Sequence, residues 1–153
     1  MLNKDELFML KALDEAKKAY KKGDVPVGAI IVKENKIIAK AYNKKEKHKN
    51  AIYHAEILAI NKACKKLKSF RLDDCEMFVT LEPCPMCSGA ILSCRLKRVC
   101  FGAYDKNYGC VGSKYNFLAD KDFEHLIENQ GGVLQEDCSS IIKKFFKEIR
   151  NKK

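Results

Sequence analysis

Short apolar runs rich in β-branched residues alternate with helix-patterned stretches along most of this chain, and that alternation limits the folds open to it. After a GDVP turn, VGAIIV and KIIAKAY are strand-like and joined by ENK, the pattern of a β-hairpin. HAEILAINKACKKLK then sets Ile57, Ile60, Ala63, Cys64 and Leu67 at helical spacing. EMFVTL reads as a buried strand, PCPMCSGAILSC as a helix with its prolines in the first turn, and RVCFGA as another strand. YDKNYGCVGSK is a loop, GGVLQ a short strand and SSIIKKFFKEIR a terminal helix. Ahead of all these, Leu2 to Lys22 is periodic helix with Gly23 as its C-cap. Strands interleaved with helices in this way predict an α/β fold with both sheet faces covered, in preference to α+β.

At 153 residues a single domain over residues 1–153 is expected, burying roughly two thirds of the surface that its unfolded form exposes. With 46% hydrophobic and 33% charged residues the chain is too apolar to be disordered. MLNKDELFMLKALDEAKKAY is an amphipathic helix pattern with acids scattered through it, unlike a secretory signal or a transit peptide. No apolar run approaches the ~18 residues of a membrane span. A cytoplasmic location is therefore expected. There, Cys64, Cys75, Cys94, Cys100, Cys110 and Cys138 read as buried or incidental thiols and not as a disulfide framework. The formal charge of +10 points to a nucleic-acid partner, although lysine supplies nearly all of the excess and a lysine-heavy surface also arises without one. Its distribution says more. Lys33 to Lys49 holds seven lysines against Glu34 and Glu46, and the tail from Ile141 to Lys153 is basic around an aromatic pair. Two such regions on one surface would face RNA.

The hexapeptide EPCPMC carries the chemistry. Cys84 and Cys87, three positions apart in a first helical turn, share a face, and the positive end of the helix dipole favours both as thiolates. A redox couple, a structural zinc knuckle and a catalytic metal site all fit that geometry. The tripeptide HAE, thirty positions upstream, separates them. His54 adds a neutral imidazole to Cys84 and Cys87, and one nitrogen with two sulfurs matches tetrahedral Zn²⁺. Three protein ligands leave a position for water, the mark of a catalytic site. There is no second CxxC pair, and Cys110, His48 and His125 form no spaced motif with the set. A redox couple would leave HAE unexplained. Glu56 lies two residues from His54, on the opposite flank of a regular helix, so the two converge only on something beyond the helix end. A metal between two helix N-termini meets that condition.

This H-x-E…P-C-x-x-C combination resembles the zinc-dependent cytidine deaminase superfamily. The resemblance covers nearly the whole chain: DVPVGAIIV, AYN, HAEILAI, VTLEPCPMCSGAI, RVCFGAYD, GCVGS and FFKEIR are similar to the bacterial-type tRNA-specific adenosine deaminases, which make inosine at the anticodon wobble position. It implies a three-layer α/β/α sandwich of the cytidine deaminase type with a central mixed sheet, a homodimer, and a flipped-out adenine from a tRNA anticodon arm. It also implies roles. Water activated by zinc loses a proton to Glu56 and attacks C6 while Glu56 protonates N1; Glu56 then carries the hydroxyl proton to the amine as ammonia leaves, base first and acid later. Asn43 matches a residue that hydrogen-bonds the target nucleotide, Val27 a substrate-pocket position and Asp105 a position near the target's sugar and backbone. Phe145, Phe146 and Arg150 match a terminal helix laid beside the anticodon loop, although an aromatic pair on a helix is more often core. Tyr53, Tyr104 and Pro85 depart from the family's usual residues, and CPMC also occurs in guanine deaminases. Guanine deaminase is thus the nearest rival, with a cytidine or dCMP deaminase further off. A zinc-stabilised RNA-binding module is the rival without catalysis, and Glu56 speaks against it.

Overall fold

The computed structural model describes residues 1–123 and 125–152. In chain order these form α1 (Lys4–Lys21), β1 (Gly28–Lys33), β2 (Lys36–Tyr42), α2 (Ala55–Leu67), β3 (Cys75–Leu81), α3 (Pro85–Cys94), β4 (Arg98–Ala103), a single 3-10 turn (Phe117–Ala119), β5 (Glu128–Gln130) and α4 (Gln135–Asn151). The strands make one mixed sheet in the order β2-β1-β3-β4-β5. β1 runs antiparallel to both β2 and β3, whereas β3, β4 and β5 are mutually parallel.

Local chemistry explains the boundaries. A capping box opens α1: Asn3 Oδ1 accepts from the Glu6 N–H at 2.9 Å and Glu6 Oε1 accepts from the Asn3 N–H at 2.9 Å. Gly23, at φ +83°, follows its C-cap, Lys22. The hairpin turns through Glu34 and Asn35, both at positive φ (50° and 63°), the primed geometry that matches strand twist.

The side chains of β1 alternate between two cores. Ile30 and Val32, with Phe78 and Cys100, pack against Met9, Ala12 and Leu13 of α1 and Cys138 of α4. Ala29 and Ile31, with Met77, Val79 and Phe101, pack against Ala55, Ala59 and Ala63 of α2 and Ile91 of α3. Two helices therefore cover each face, giving the expected three-layer sandwich. Gly28 lets α1 lie close against the sheet, since a Cβ there would collide with the Ala12 carbonyl oxygen. Its N–H donates to the buried Thr80 Oγ1 at 3.1 Å, which ties the PVGA segment to the end of β3 that leads into the EPCPMC hexapeptide.

Three boundaries differ from the sequence reading. The last strand is Glu128–Gln130 and not GGVLQ, because Gly132 (φ +81°) and Leu134 (φ 52°) turn the chain into α4, which begins at Gln135 ahead of the SSIIKK pattern. Pro83 lies outside α3; only Pro85 is in its first turn. Cys84 is accordingly the N-cap residue and not a helical one. Among the described residues no helix is long and apolar enough to cross a membrane.

Candidate active site

Helices α2 and α3 begin at a common point. His54 is the N-cap of α2 and Cys84 the N-cap of α3, both with extended backbone (φ −73°, ψ 151° and φ −78°, ψ 177°), and neither side chain caps its own helix. N-cap positions favour Ser, Thr, Asp or Asn, whose oxygen accepts from the exposed N–H groups. Here both side chains turn toward each other. His54 Nδ1 stands 3.7 Å from Cys84 Sγ and 3.6 Å from Cys87 Sγ, and the three ligand atoms lie within 4.8 Å of one another. A tetrahedral zinc, with Zn–N of about 2.0–2.1 Å and Zn–S of about 2.3 Å, requires N···S edges of about 3.6 Å. The donor set therefore fits zinc in both chemistry and spacing, with Nδ1 as the histidine donor. Pro85 occupies the first helical position, where its missing N–H costs nothing, and places Cys87 on the turn above Cys84.

Electrostatics agree. The Cys84 thiol is held down at about 4, first by a hydrogen bond from Cys87 and also by His54. Cys87 is pushed up by that same neighbouring sulfur and by burial. His54 is raised, chiefly through its bond to Cys84. A bound dication would draw both sulfurs to thiolates.

Glu56 sits in the first turn of α2, only 4% exposed, with its carboxyl pushed up to about 7, chiefly by burial. Its own backbone N–H, His54 and Cys87 pull the other way. A buried carboxyl that exchanges a proton near neutrality is suited to general acid–base work.

Val27, Asn43, Leu81, Glu82 and Asp105 line one pocket with His54, Glu56 and Cys84. The structure therefore brings all three residues expected around the target nucleotide to the ligand cluster. The Asn43 N–H donates to the Val27 carbonyl at 3.0 Å, while its side chain donates to the Val25 carbonyl at 3.3 Å and accepts from the Lys45 N–H at 3.2 Å. These bonds join the end of β2 to the PVGA segment. Buried Asp24 accepts from the Glu46 and Lys47 N–H groups at 2.8 and 3.2 Å, anchoring the lysine-rich loop beside them. Half-buried Asp105 accepts from the N–H groups of Asn107 and Tyr108 at 3.0 and 3.1 Å.

The aromatic pair on α4 divides. Phe145 is 7% exposed and meets Tyr20 of α1 edge-on at 6.0 Å, so its ring packs two helices together and is not presented to a ligand. This corrects the expectation for Phe145. Phe146, 42% exposed, lines an open cleft of about 430 Å³ with Tyr104, Lys106, Tyr108 and Lys143. The cleft shares Leu81 and Asp105 with the first pocket. Arg150 is exposed in the last turn of α4 and lines neither. Sequence reasoning gave no role to Glu82, although an acid closing the apolar run CEMFVTL was the available signal. It also missed the cleft, whose residues meet only through tertiary structure.

A His/Cys/Cys set at paired helix ends, a buried glutamate beside it and a mixed sheet between helix layers together define a hydrolytic deaminase of the cytidine deaminase-like class. The chain belongs to the MafB19-like deaminase family, whose model matches residues 2–150. It is 47% identical over 152 residues to the tRNA-specific adenosine deaminase of Bacillus subtilis (strain 168), covering 99% of this chain and 94% of the relative. A solved structure from work on A-to-I editing by tRNA:A34 deaminases superimposes with a TM-score of 0.84 at 35% identity, over 88% of this chain and 97% of that one. The guanine deaminase from Nitrosomonas europaea matches with a TM-score of 0.79 at 21% identity over 92% of this chain and 83% of its own, and so shares the fold.

Proposed function

We propose that this chain is a zinc-dependent tRNA adenosine deaminase that converts adenosine to inosine at the wobble position of a tRNA anticodon arm. The observation that carries the reading is the convergence of His54 Nδ1, Cys84 Sγ and Cys87 Sγ beside buried Glu56, in a chain so similar to a named tRNA-specific adenosine deaminase. His54, Cys84 and Cys87 would hold the zinc. When bound, the metal supplies a water acidic enough to act as nucleophile near neutral pH. The rest falls to the protein. Glu56 accepts the proton that the water gives up on attacking C6 and delivers it to adenine N1; it then takes the remaining hydroxyl proton as the C6 carbonyl forms and passes it to the amine, so that the C6–N bond breaks and ammonia leaves. Asn43 and Val27 hold the purine on one side of the pocket and Asp105 meets its sugar on the other. A wobble nucleotide in a loop costs less to extrude than a base in a duplex, which favours this substrate for a pocket buried at the helix ends.

The same reading makes residues 1–153 one deaminase domain that works in the cytoplasm as a homodimer. All eight cysteines are free, in keeping with a reducing compartment. Helix α3 is mostly apolar, and an open cleft lined by Leu92, Ser93, Phe117 and Phe123 on its outer flank would be covered by a second copy. The test is competitive: the zinc-loaded protein is incubated with an anticodon stem-loop carrying wobble adenosine, and separately with guanine, cytidine and dCMP. Inosine in the stem-loop, with slow or no turnover of the others, is expected. Efficient guanine deamination with an untouched stem-loop overturns the reading in favour of the purine-salvage rival, and RNA binding without any turnover overturns it in favour of a binding module.

A further inference from the structure

Glu82 follows β3 directly and precedes the Pro83–Cys84 step, and its side chain is 1% exposed. It borders the pocket beside His54, Glu56 and Cys84, but both of its carboxylate oxygens bond a neighbouring loop. Oε1 accepts from the Asp105 N–H at 3.0 Å and from the Ser113 hydroxyl, and Oε2 accepts from the Val111 and Ser113 N–H groups, each at 3.0 Å. Four donors thus converge on a group that has about four lone-pair sites to offer. They all come from one segment, the loop that follows β4. The Cys110 N–H adds a bond to the Pro83 carbonyl at 2.9 Å, so the loop is fastened along the residues that lead into the metal-ligand cysteines. Gly109 lets it approach: a Cβ there would collide with the Glu82 carboxyl carbon and lie 2.5 Å from the Asp105 carbonyl oxygen.

The loop begins with Asp105, which stands on the pocket wall, and it also carries Lys106 and Tyr108 into the adjoining cleft. We infer that Glu82 is a positioning residue for substrate: it fixes the loop over residues 105–113 and thereby sets Asp105 against the pocket, without itself moving a proton or holding the metal. This deepens the function proposed above and rests on it. A glutamine is a poor replacement, because its amide NH₂ would confront backbone N–H groups that need an acceptor, and an aspartate is one methylene short of the loop. The loop would then sample other positions while His54, Glu56, Cys84 and Cys87, set by the starts of α2 and α3, keep theirs.

The test uses the zinc-loaded protein and its stem-loop substrate, with Glu82→Gln, Ser113→Ala, Asp105→Ala and Glu82→Gln/Asp105→Ala. For Glu82→Gln, KM should rise about tenfold or more, zinc should stay at one per chain, and kcat should change by less than about threefold. Ser113→Ala, which removes a side-chain bond and leaves the carboxylate, should raise KM a few-fold. Since Glu82 acts through Asp105, the double variant should be little worse than Asp105→Ala alone, a non-additivity that general destabilisation would not produce. Lost zinc, a fall in kcat at unchanged KM, or additive effects each overturn the inference. If Glu82→Gln fails to fold, Ser113→Ala decides, and an unchanged KM there counts against it. If the wild type ignores the stem-loop, the functional reading has failed by itself. The inference is then judged by amide hydrogen exchange at Asp105, Val111 and Ser113, which must be protected in the wild type and must open in the Glu82 variant or, failing that, in Ser113→Ala.

Discussion

His54 and Cys84 stand where a serine or an aspartate would best stabilise a helix, and each forgoes a cap worth about 1 kcal/mol to reach the other. That exchange of stability for ligand geometry is what a site built on helix ends entails, and it separates the residues by role. Removing both sulfurs with Cys84→Ala/Cys87→Ala should take zinc, measured by elemental analysis, from one per chain to near zero. Glu56→Gln should leave zinc at one per chain and lower kcat by ~10²–10⁴, the usual range for a general acid–base, while stem-loop affinity stays within a few-fold. A Glu56→Gln enzyme with near-normal turnover would remove the carboxyl from the reaction. The ligands and Glu56 were legible in sequence because HAE and PCPMC fix donor type and spacing locally. Glu82 was not, since its partners lie 23 to 31 positions away and only the folded loop brings their N–H groups to it.

Between elements, one side chain links a helix and three strands at the end of the sheet opposite the site. Arg98, at the start of β4, forms a two-pronged pair with Asp5 of α1 (2.9 and 2.8 Å) and lies 3.9 Å from Glu76 of β3 and 3.6 Å from Glu128 of β5. The hydrogen bonds from Arg98 hold the Asp5 carboxyl below its ordinary range against the opposing effect of burial. A carboxylate depressed in the folded state contributes stability above its unfolded value, near 3.9, and loses it as pH falls through the folded one. Asp5→Asn should therefore cost about 1–2 kcal/mol at pH 7, allowing for partial solvent screening, or a few degrees of Tm. The gap between wild type and variant should narrow below about pH 4 as Asp5 takes up its proton; a gap independent of pH would mean that lost packing, not charge, explains it. Most elements could be read from apolar periodicity, including the hairpin and all four helices. The exceptions have physical reasons. A three-residue edge strand of sequence ENQ has no apolar pattern to find, and Phe145 could be told from Phe146 only once Tyr20 was in place.

At the scale of the molecule the parallel strands have a chemical end and a structural end. Their amino ends carry the Arg98 ion pairs, and the carboxyl ends of β3 and β4 lead into Glu82, Cys84 and Asp105, the end at which α/β sheets generally place ligands. Net charge adds a direction to that polarity. The formal +10 includes the anchored lysine-rich loop beside Asn43, and Lys106 and Lys143 in the cleft beside Asp105. Basic groups therefore flank the pocket on two sides. If RNA phosphates lie along α4, each neutralised phosphate releases counterions and steepens the fall of affinity with salt by about 0.7 per contact on a single strand. Lys143 and Arg150 are both exposed, so Lys143→Ala/Arg150→Ala should leave the circular dichroism melt unchanged while weakening stem-loop binding. The slope of log K against log salt should become shallower by roughly 1.4 if both side chains meet phosphate. Identical affinity and slope in the double variant would assign the basic tail to a solvated face and leave RNA recognition to the lysine-rich loop and the pocket rim.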